Sequence, residues 1–154
     1  MQHEATATAV AASIDIALPV AGTDVSKDHL DVFIDVVGAS SRFSNDEQGI
    51  ARLLALLRQH KVRLVVLEAT GRYHRAAAAR LLEAGLNVAV VNPKQVRAFA
   101  VADGKLEKTD RIDARVLAAF GRAMNPRITT KPAQKQVELA DLVARRRGLM
   151  RSSY

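Results

Sequence analysis

The amino-acid sequence predicts an α/β domain on a mixed sheet, with antiparallel strands first, parallel strands after them and helices on the faces. Three observations carry this. Around the polar turn Ser26-Lys27-Asp28, apolar and polar residues alternate between Ile14 and Val37, the pattern of two neighbouring antiparallel strands. Two short continuous apolar runs, "LVVLE" and "NVAVV", follow. Such runs suit parallel strands buried on both faces. Apolar residues at helical spacing fill the stretches between and after them.

Taken in order, "IDIALPVAGTDVS" reads as the first strand and "HLDVFIDVV" as the second, where Leu30, Val32, Ile34 and Val36 alternate with Asp31, Phe33 and Asp35. "SRFSN" gives a shorter third strand. Ser44 or Asn45 then caps a helix that sets Ile50, Leu53, Leu54 and Leu57 on one face. "RLVVLEATG" is a buried strand ending at Gly71, and "RYHRAAAARLLEAG" a helix stopped by Gly85. "NVAVVNP" is a strand closed by Pro93, and "KQVRAFAVADG" a helix ending at Gly104. "GKLEKTDRIDARVLA" opens a helix expected to run from about Asp110 to about Ala123. The expected organisation is a loose tail over 1–13, one domain over 14–125, and over 126–154 a linker and the start of a helical segment containing "AQKQVELADLVARRRGLM".

A chain of 154 residues, 49% of them hydrophobic, suits one compact domain with a real core. The absence of cysteine excludes disulfides and thiolate metal sites and is compatible with a reducing cytoplasm. No apolar run approaches a membrane span, and the opening residues lack the basic start of a signal peptide. The net charge of +7 is divided unevenly. Residues 1–50 hold two basic and eight acidic residues, and residues 51–154 hold 21 basic and eight acidic. A basic second part points to a polyanion partner, against the plainer alternative of a solvated arginine-rich surface.

Four acids draw attention. Asp24 closes one apolar strand and Glu68 another, and ligand sites of open α/β sheets gather at strand carboxyl ends. Asp110 and Asp113, three residues apart, would share one face of a helix starting at Asp110. On that wheel they border the apolar face of Ile112, Val116 and Phe120, while Arg111, Arg115 and Arg122 line the far edge, poorly placed to neutralise them. An external cation would do so better. Oxygen ligands without His or Cys select Mg²⁺ or Mn²⁺, and a pair of such ions about 4 Å apart serves phosphodiester cleavage.

Each acid also has a plainer reading. Asp110 reads as a helix cap and Asp113 as an acid favoured by the helix dipole. Asp24 reads as a turn residue, and Glu68 as the partner of Arg72 or Arg75. His29, His60 and His74 show no ligand spacing and read as surface residues. No G-x-S-x-G elbow supports a serine hydrolase.

Together "GTDVSKDHLDVFI", "VVLEATGRYH", "VAVVNPKQVRAFA" and "KTDRIDARVLA" resemble, in order and spacing from about Ile16 to Arg147, the DEDD-type transposases of bacterial insertion sequences, relatives of the Piv invertase. The resemblance implies a RuvC-like, ribonuclease-H-type fold and a catalytic, metal-binding tetrad of Asp24, Glu68, Asp110 and Asp113, holding two Mg²⁺ or Mn²⁺ ions. It implies DNA transposition, DNA as partner, in some members a structured guide RNA, and a bacterial cytoplasmic, nucleoid-associated location. Lys27, Lys94, Arg97, Lys105, Lys108, Arg111 and Arg115 are the candidate nucleic-acid contacts. Family members continue into a second domain with a serine nucleophile; Ser152 and Ser153 do not stand in that motif, and the second domain is expected to be absent here.

The leading expectation is therefore a divalent-metal-dependent transposase domain. A second is a truncated, non-catalytic fragment that binds nucleic acid or sequesters subunits, oligomerising with full-length relatives through a face of Val137, Leu139, Ala140, Leu142 and Val143; a homo-oligomer through the same C-terminal helical segment is also expected. A third, a phosphate loop of the actin-like sugar-kinase type at "GTDVSKDHLDVFI", is disfavoured by Val25 and Lys27 where small residues are needed.

Overall fold

The computed structural model describes residues 18–130. Five strands form one sheet: β1 (Val20–Val25), β2 (His29–Ile34), β3 (Ala39–Ser44), β4 (Leu64–Glu68) and β5 (Val88–Val91). Their order is β3-β2-β1-β4-β5, so β1 is central. It pairs antiparallel with β2 and parallel with β4. The tight turn at residues 26–28 makes the first pairing possible. The parallel strands are reached by crossovers through the helices α1 (Glu47–Gln59) and α2 (Arg75–Glu83). Two further helices, α3 (Pro93–Ala102) and α4 (Ala114–Met124), follow β5. The expected mixed sheet with helices on its faces is what the chain forms.

The sheet separates two cores. On one side α1 and α2 bring Leu53, Leu57, Ala77 and Leu81 onto Ala21, Leu30, Ile34, Val65 and Leu67. On the other, α3 and α4 bring Val96, Ala100, Leu117 and Phe120 onto Val20, Leu64, Val66 and Ala89. The alternation of β1 and β4 follows, since odd and even residues serve opposite faces. At the free edge of β5 the chain returns after α4. There the Thr129 amide donates to the Val88 carbonyl at 2.7 Å, and the Val90 amide to Thr129 Oγ1 at 3.1 Å. Residues 126–130, the described part of the expected linker, thus cover an edge that would otherwise leave ladder groups unpaired.

Two expected helix starts are corrected. The cap of α1 is Asp46, whose carboxylate accepts from the Gly49 amide at 2.8 Å. Asn45 instead donates its amide to the carbonyls of Ser26 and Tyr73, tying two loops together. The last helix begins not at Asp110 but at Ala114, with Asp113 as its N-cap, accepting from the Val116 amide at 2.9 Å. A helix starting at Asp110 would offer that residue's carbonyl to the amide four residues on. Here Arg97 takes the Asp110 carbonyl at 2.6 Å and the Lys108 carbonyl at 2.9 Å, and Ile112 is drawn into the second core. The shared helix face proposed for the two aspartates therefore does not exist. The expected tail over 1–13 and the last helix, with the oligomerisation face at 137–143, lie outside the described residues.

Candidate acidic site at the strand ends

Asp24 and Glu68 come together because of register. Thr23 lies opposite Leu67, so the next residue along each parallel strand is one of the two acids. Both belong to the side that carries α3 and α4. That face is held close to α4 by Gly22, where a Cβ would fall 2.0 Å from the Ala114 carbonyl oxygen and 2.5 Å from the Ala118 nitrogen. No other residue type permits this approach. It seats the first turn of α4, and with it the capping Asp113, beside the end of β1.

Asp24 is the one charged residue in the buried class among the described residues, only 8% exposed. Its Oδ2 accepts from Arg111 Nη2 at 2.9 Å. Burial pushes its carboxyl above the usual range; Arg111 opposes that shift, and the charges of Asp31 and Asp113 add to it. Burial likewise raises Glu68, helped by Asp24 and opposed by Arg111 and Arg97. No ion pair joins Glu68 to Arg72 or Arg75 among the described residues. Arg72 lies instead over the ring of Tyr73. Asp113 is exposed, with one carboxylate oxygen spent on its cap.

Asp110 stands apart. Its Oδ2 accepts from the Glu107 amide at 3.0 Å, closing a turn in the connection between α3 and α4. Among the described residues no three acids or histidines are arranged to hold one ion. The donor chemistry of Asp24, Glu68 and Asp113, all carboxylate oxygens on one face, fits a hard divalent cation. The placement of Asp110 in this conformation does not.

One acid escaped the sequence reading. Asp31 lies directly across from Asp24 in the β1–β2 ladder and on the same face. Arg42 on β3 grips it with Nε at 2.6 Å and Nη2 at 3.1 Å, which holds its carboxyl below the usual range. The signal was available: a turn centred between Lys27 and Asp28 sets Asp24 opposite Asp31. An open groove of about 440 Å³ runs between these acids and Phe33, Arg42 and Arg115, the last with its guanidinium 4.6 Å from the Phe33 ring centroid. A larger groove of about 680 Å³, lined by Phe99, Phe120 and Met124, lies at the other end of α4, away from every acid of the set.

The candidate basic residues divide. Lys27 is exposed in the turn after β1, and Lys94 at the start of α3 after β5, so both flank the edge that carries the acids. Lys108 is exposed in the 103–113 connection, and Arg115 in the first turn of α4. Lys105 sits past the far end of α3, paired with Asp103 at 3.1 Å. Arg97 is occupied with backbone carbonyls and Arg111 with Asp24. Arg111 thus neutralises Asp24, an acid outside the helical wheel drawn for Asp110 and Asp113, and it does so from the connection that precedes the helix start at Ala114. Of the histidines, His29 is exposed while His60 and His74 are half-buried, and none joins the acids.

Comparison with known proteins gives the arrangement its context. The pilin gene-inverting proteins of Moraxella lacunata and Moraxella bovis are each 28% identical over 131 residues, covering 81% of this chain and 41% of theirs. The chain thus spans about two-fifths of the length of these relatives. Among solved structures, Thermus thermophilus RuvC superposes with a TM-score of 0.50, at 17% identity over 73% of this chain and 100% of that one. The T. thermophilus RuvC bound to a Holliday junction substrate also gives 0.50, at 20% identity over 70% of this chain and 96% of that one. The fold is therefore RuvC-like, of the ribonuclease-H type. The IS110 DEDD family, described as transposase, matches residues 21–153, and the chain belongs to that family of transposases.

Proposed function

We propose that this domain carries the acidic site of a DNA transposase or recombinase, in which Asp24 and Glu68, with Asp113 drawn in by the ion itself, hold a divalent cation, Mg²⁺ or Mn²⁺, for phosphodiester chemistry. The observation that carries the reading is Asp24. A carboxylate only 8% exposed, at the end of the central strand, stands in electrostatic reach of Glu68, Asp31 and Asp113. Such a concentration of negative charge destabilises a fold that has no use for it. Membership of a transposase family, relatives named as gene-inverting proteins, and a fold shared with a junction-bound RuvC support DNA as the substrate.

When bound, a cation in this position would polarise an attacking water or hydroxyl and steady the leaving oxygen. The chain's own contributions follow from the geometry. Asp24, desolvated on the rigid central strand, supplies the strongest field for a cation. Glu68 supplies a second carboxylate from the neighbouring strand. Asp113 presents its free oxygen from a helix start that its other oxygen holds in place. Lys27, Lys94, Lys108 and Arg115 ring this edge and suit a sugar-phosphate backbone. Asp110 joins the set only if the 103–113 connection rearranges. On this reading the chain works on DNA in the bacterial cytoplasm.

The test is Mn²⁺ binding by paramagnetic resonance, comparing the native chain with Asp24→Asn and Glu68→Gln. Saturable binding lost in both variants, with native circular dichroism, is the expected result. Equal binding in all three chains overturns the assignment.

A further inference from the structure

We infer that Arg111 is a phosphate-exchangeable counter-ion: it closes the acidic site in the free protein by pairing with Asp24, and a nucleic-acid phosphate opens the site by drawing it away. This inference deepens the proposed function and rests on it.

The argument begins with where Arg111 sits. It comes from the 103–113 connection, not from the helix, and meets a residue 87 positions earlier in the chain. Its own side chain is 74% exposed, while that of Asp24 is 10% exposed. The guanidinium therefore reaches from solvent into the site and caps the buried carboxylate of Asp24, where a divalent ion would also have to bind. The two cations compete for the same Oδ2. Arginine is the residue suited to exchange, since its planar fork binds carboxylate and phosphate with similar geometry.

The connection is built to hold this closed form without making it permanent. Arg97, a turn into α3, grips the carbonyls of Lys108 and Asp110 on either side of the motif. The Asp110 carboxylate is turned back onto the Glu107 amide. Both contacts are on the surface, and most side chains from Asp103 to Arg111 are exposed. Nothing in the core has to unpack for Arg111 to leave, because Ile112 and Ala114 anchor the chain beyond it. Lys108 and Arg115 lie on either side of Arg111 in the sequence, so a backbone that engages them passes within its reach.

Two consequences are measurable. Removing the arginine should raise the affinity of the free chain for Mn²⁺, on the order of tenfold, which corresponds to about 1.4 kcal/mol of competition. In the native chain, duplex DNA should raise Mn²⁺ affinity, and Mn²⁺ should raise DNA affinity by the same factor, because coupling is reciprocal. In Arg111→Gln that coupling should shrink, since the site is already open. Arg111→Lys keeps the charge and should restore part of the closure.

The experiment is an Mn²⁺ titration by paramagnetic resonance of native, Arg111→Gln, Arg111→Lys and Asp24→Asn chains, with and without a short DNA duplex. Tighter Mn²⁺ binding by Arg111→Gln, with an intermediate affinity in Arg111→Lys and reduced DNA coupling in Arg111→Gln, supports the exchange. Unchanged Mn²⁺ affinity in Arg111→Gln, with binding still lost in Asp24→Asn, overturns the exchange and leaves the metal-site reading standing. Mn²⁺ binding indifferent to both substitutions overturns the two together.

Discussion

Asp24 and Glu68 stand at the ends of paired strands, fixed by ladder register and by a helix that lies against Gly22. Asp110 stands in a surface connection, fixed by one turn and by the grip of Arg97. The first region is held by packing that involves the whole domain, and the second by a few exposed polar contacts. The contrast separates what is rigid in this site from what is free to change. Strand-borne carboxylates keep their positions through any local event short of unfolding. A carboxylate on a polar connection has the low local stability from which moving parts are drawn.

The comparison is most severely tested at Gly22. Valine there meets the α4 backbone, and Gly22→Val should lower stability by about 3 kcal/mol, read from the urea midpoint. A native midpoint would show that α4 is not seated by that glycine. Asp113 gives the next effect. Removing the cap in Asp113→Ala should cost about 1 kcal/mol, whereas Asp113→Ser should keep the cap and the midpoint while weakening Mn²⁺ binding. Undiminished Mn²⁺ binding in the serine variant would make Asp113 a cap and nothing more.

A smaller effect concerns acid. The folded-state carboxyls of Asp24 and Glu68 lie above their ordinary values. In the window between the ordinary value and the raised one, the folded state binds more protons than the unfolded. Their contribution is therefore fully present below the ordinary carboxylate pKa and is lost as pH rises through the raised one. Asp24→Asn should flatten that part of the stability–pH curve, measured by thermal unfolding across pH 3 to 7. An equally steep curve in the variant would show that Asp24 is not strained by its burial.

Asp110→Asn should have the smallest effect, within about 0.5 kcal/mol, because asparagine still accepts from the Glu107 amide. In the free chain Mn²⁺ binding should also stand. Loss of that binding would mean that the connection already rearranges around the ion without nucleic acid, and the division between the two regions would fall.

Much of the site was legible in the sequence, because side-chain alternation along a strand is local. Once "VAGTDV" and "LVVLE" are recognised as strands ending at the same edge, Asp24 and Glu68 follow. What misled was "TDRID", in which either aspartate makes a sound cap. Local propensity has no means of choosing between them. Arg97 and the burial of Ile112 made the choice, and both act across the tertiary structure. Asp31 was hidden for another reason: on an alternating strand a polar residue reads as solvent-facing until its cross-strand neighbour is known.

The sequence by itself determined the order of strands and helices, the two strand-end acids and the basic character of the second part, since these rest on periodicity and composition. Only the tertiary structure decided which aspartate caps α4 and that Arg111 closes on a carboxylate 87 residues away. Each of those outcomes requires segments distant in the chain to meet, and the free energy that selects among them is that of the packed domain.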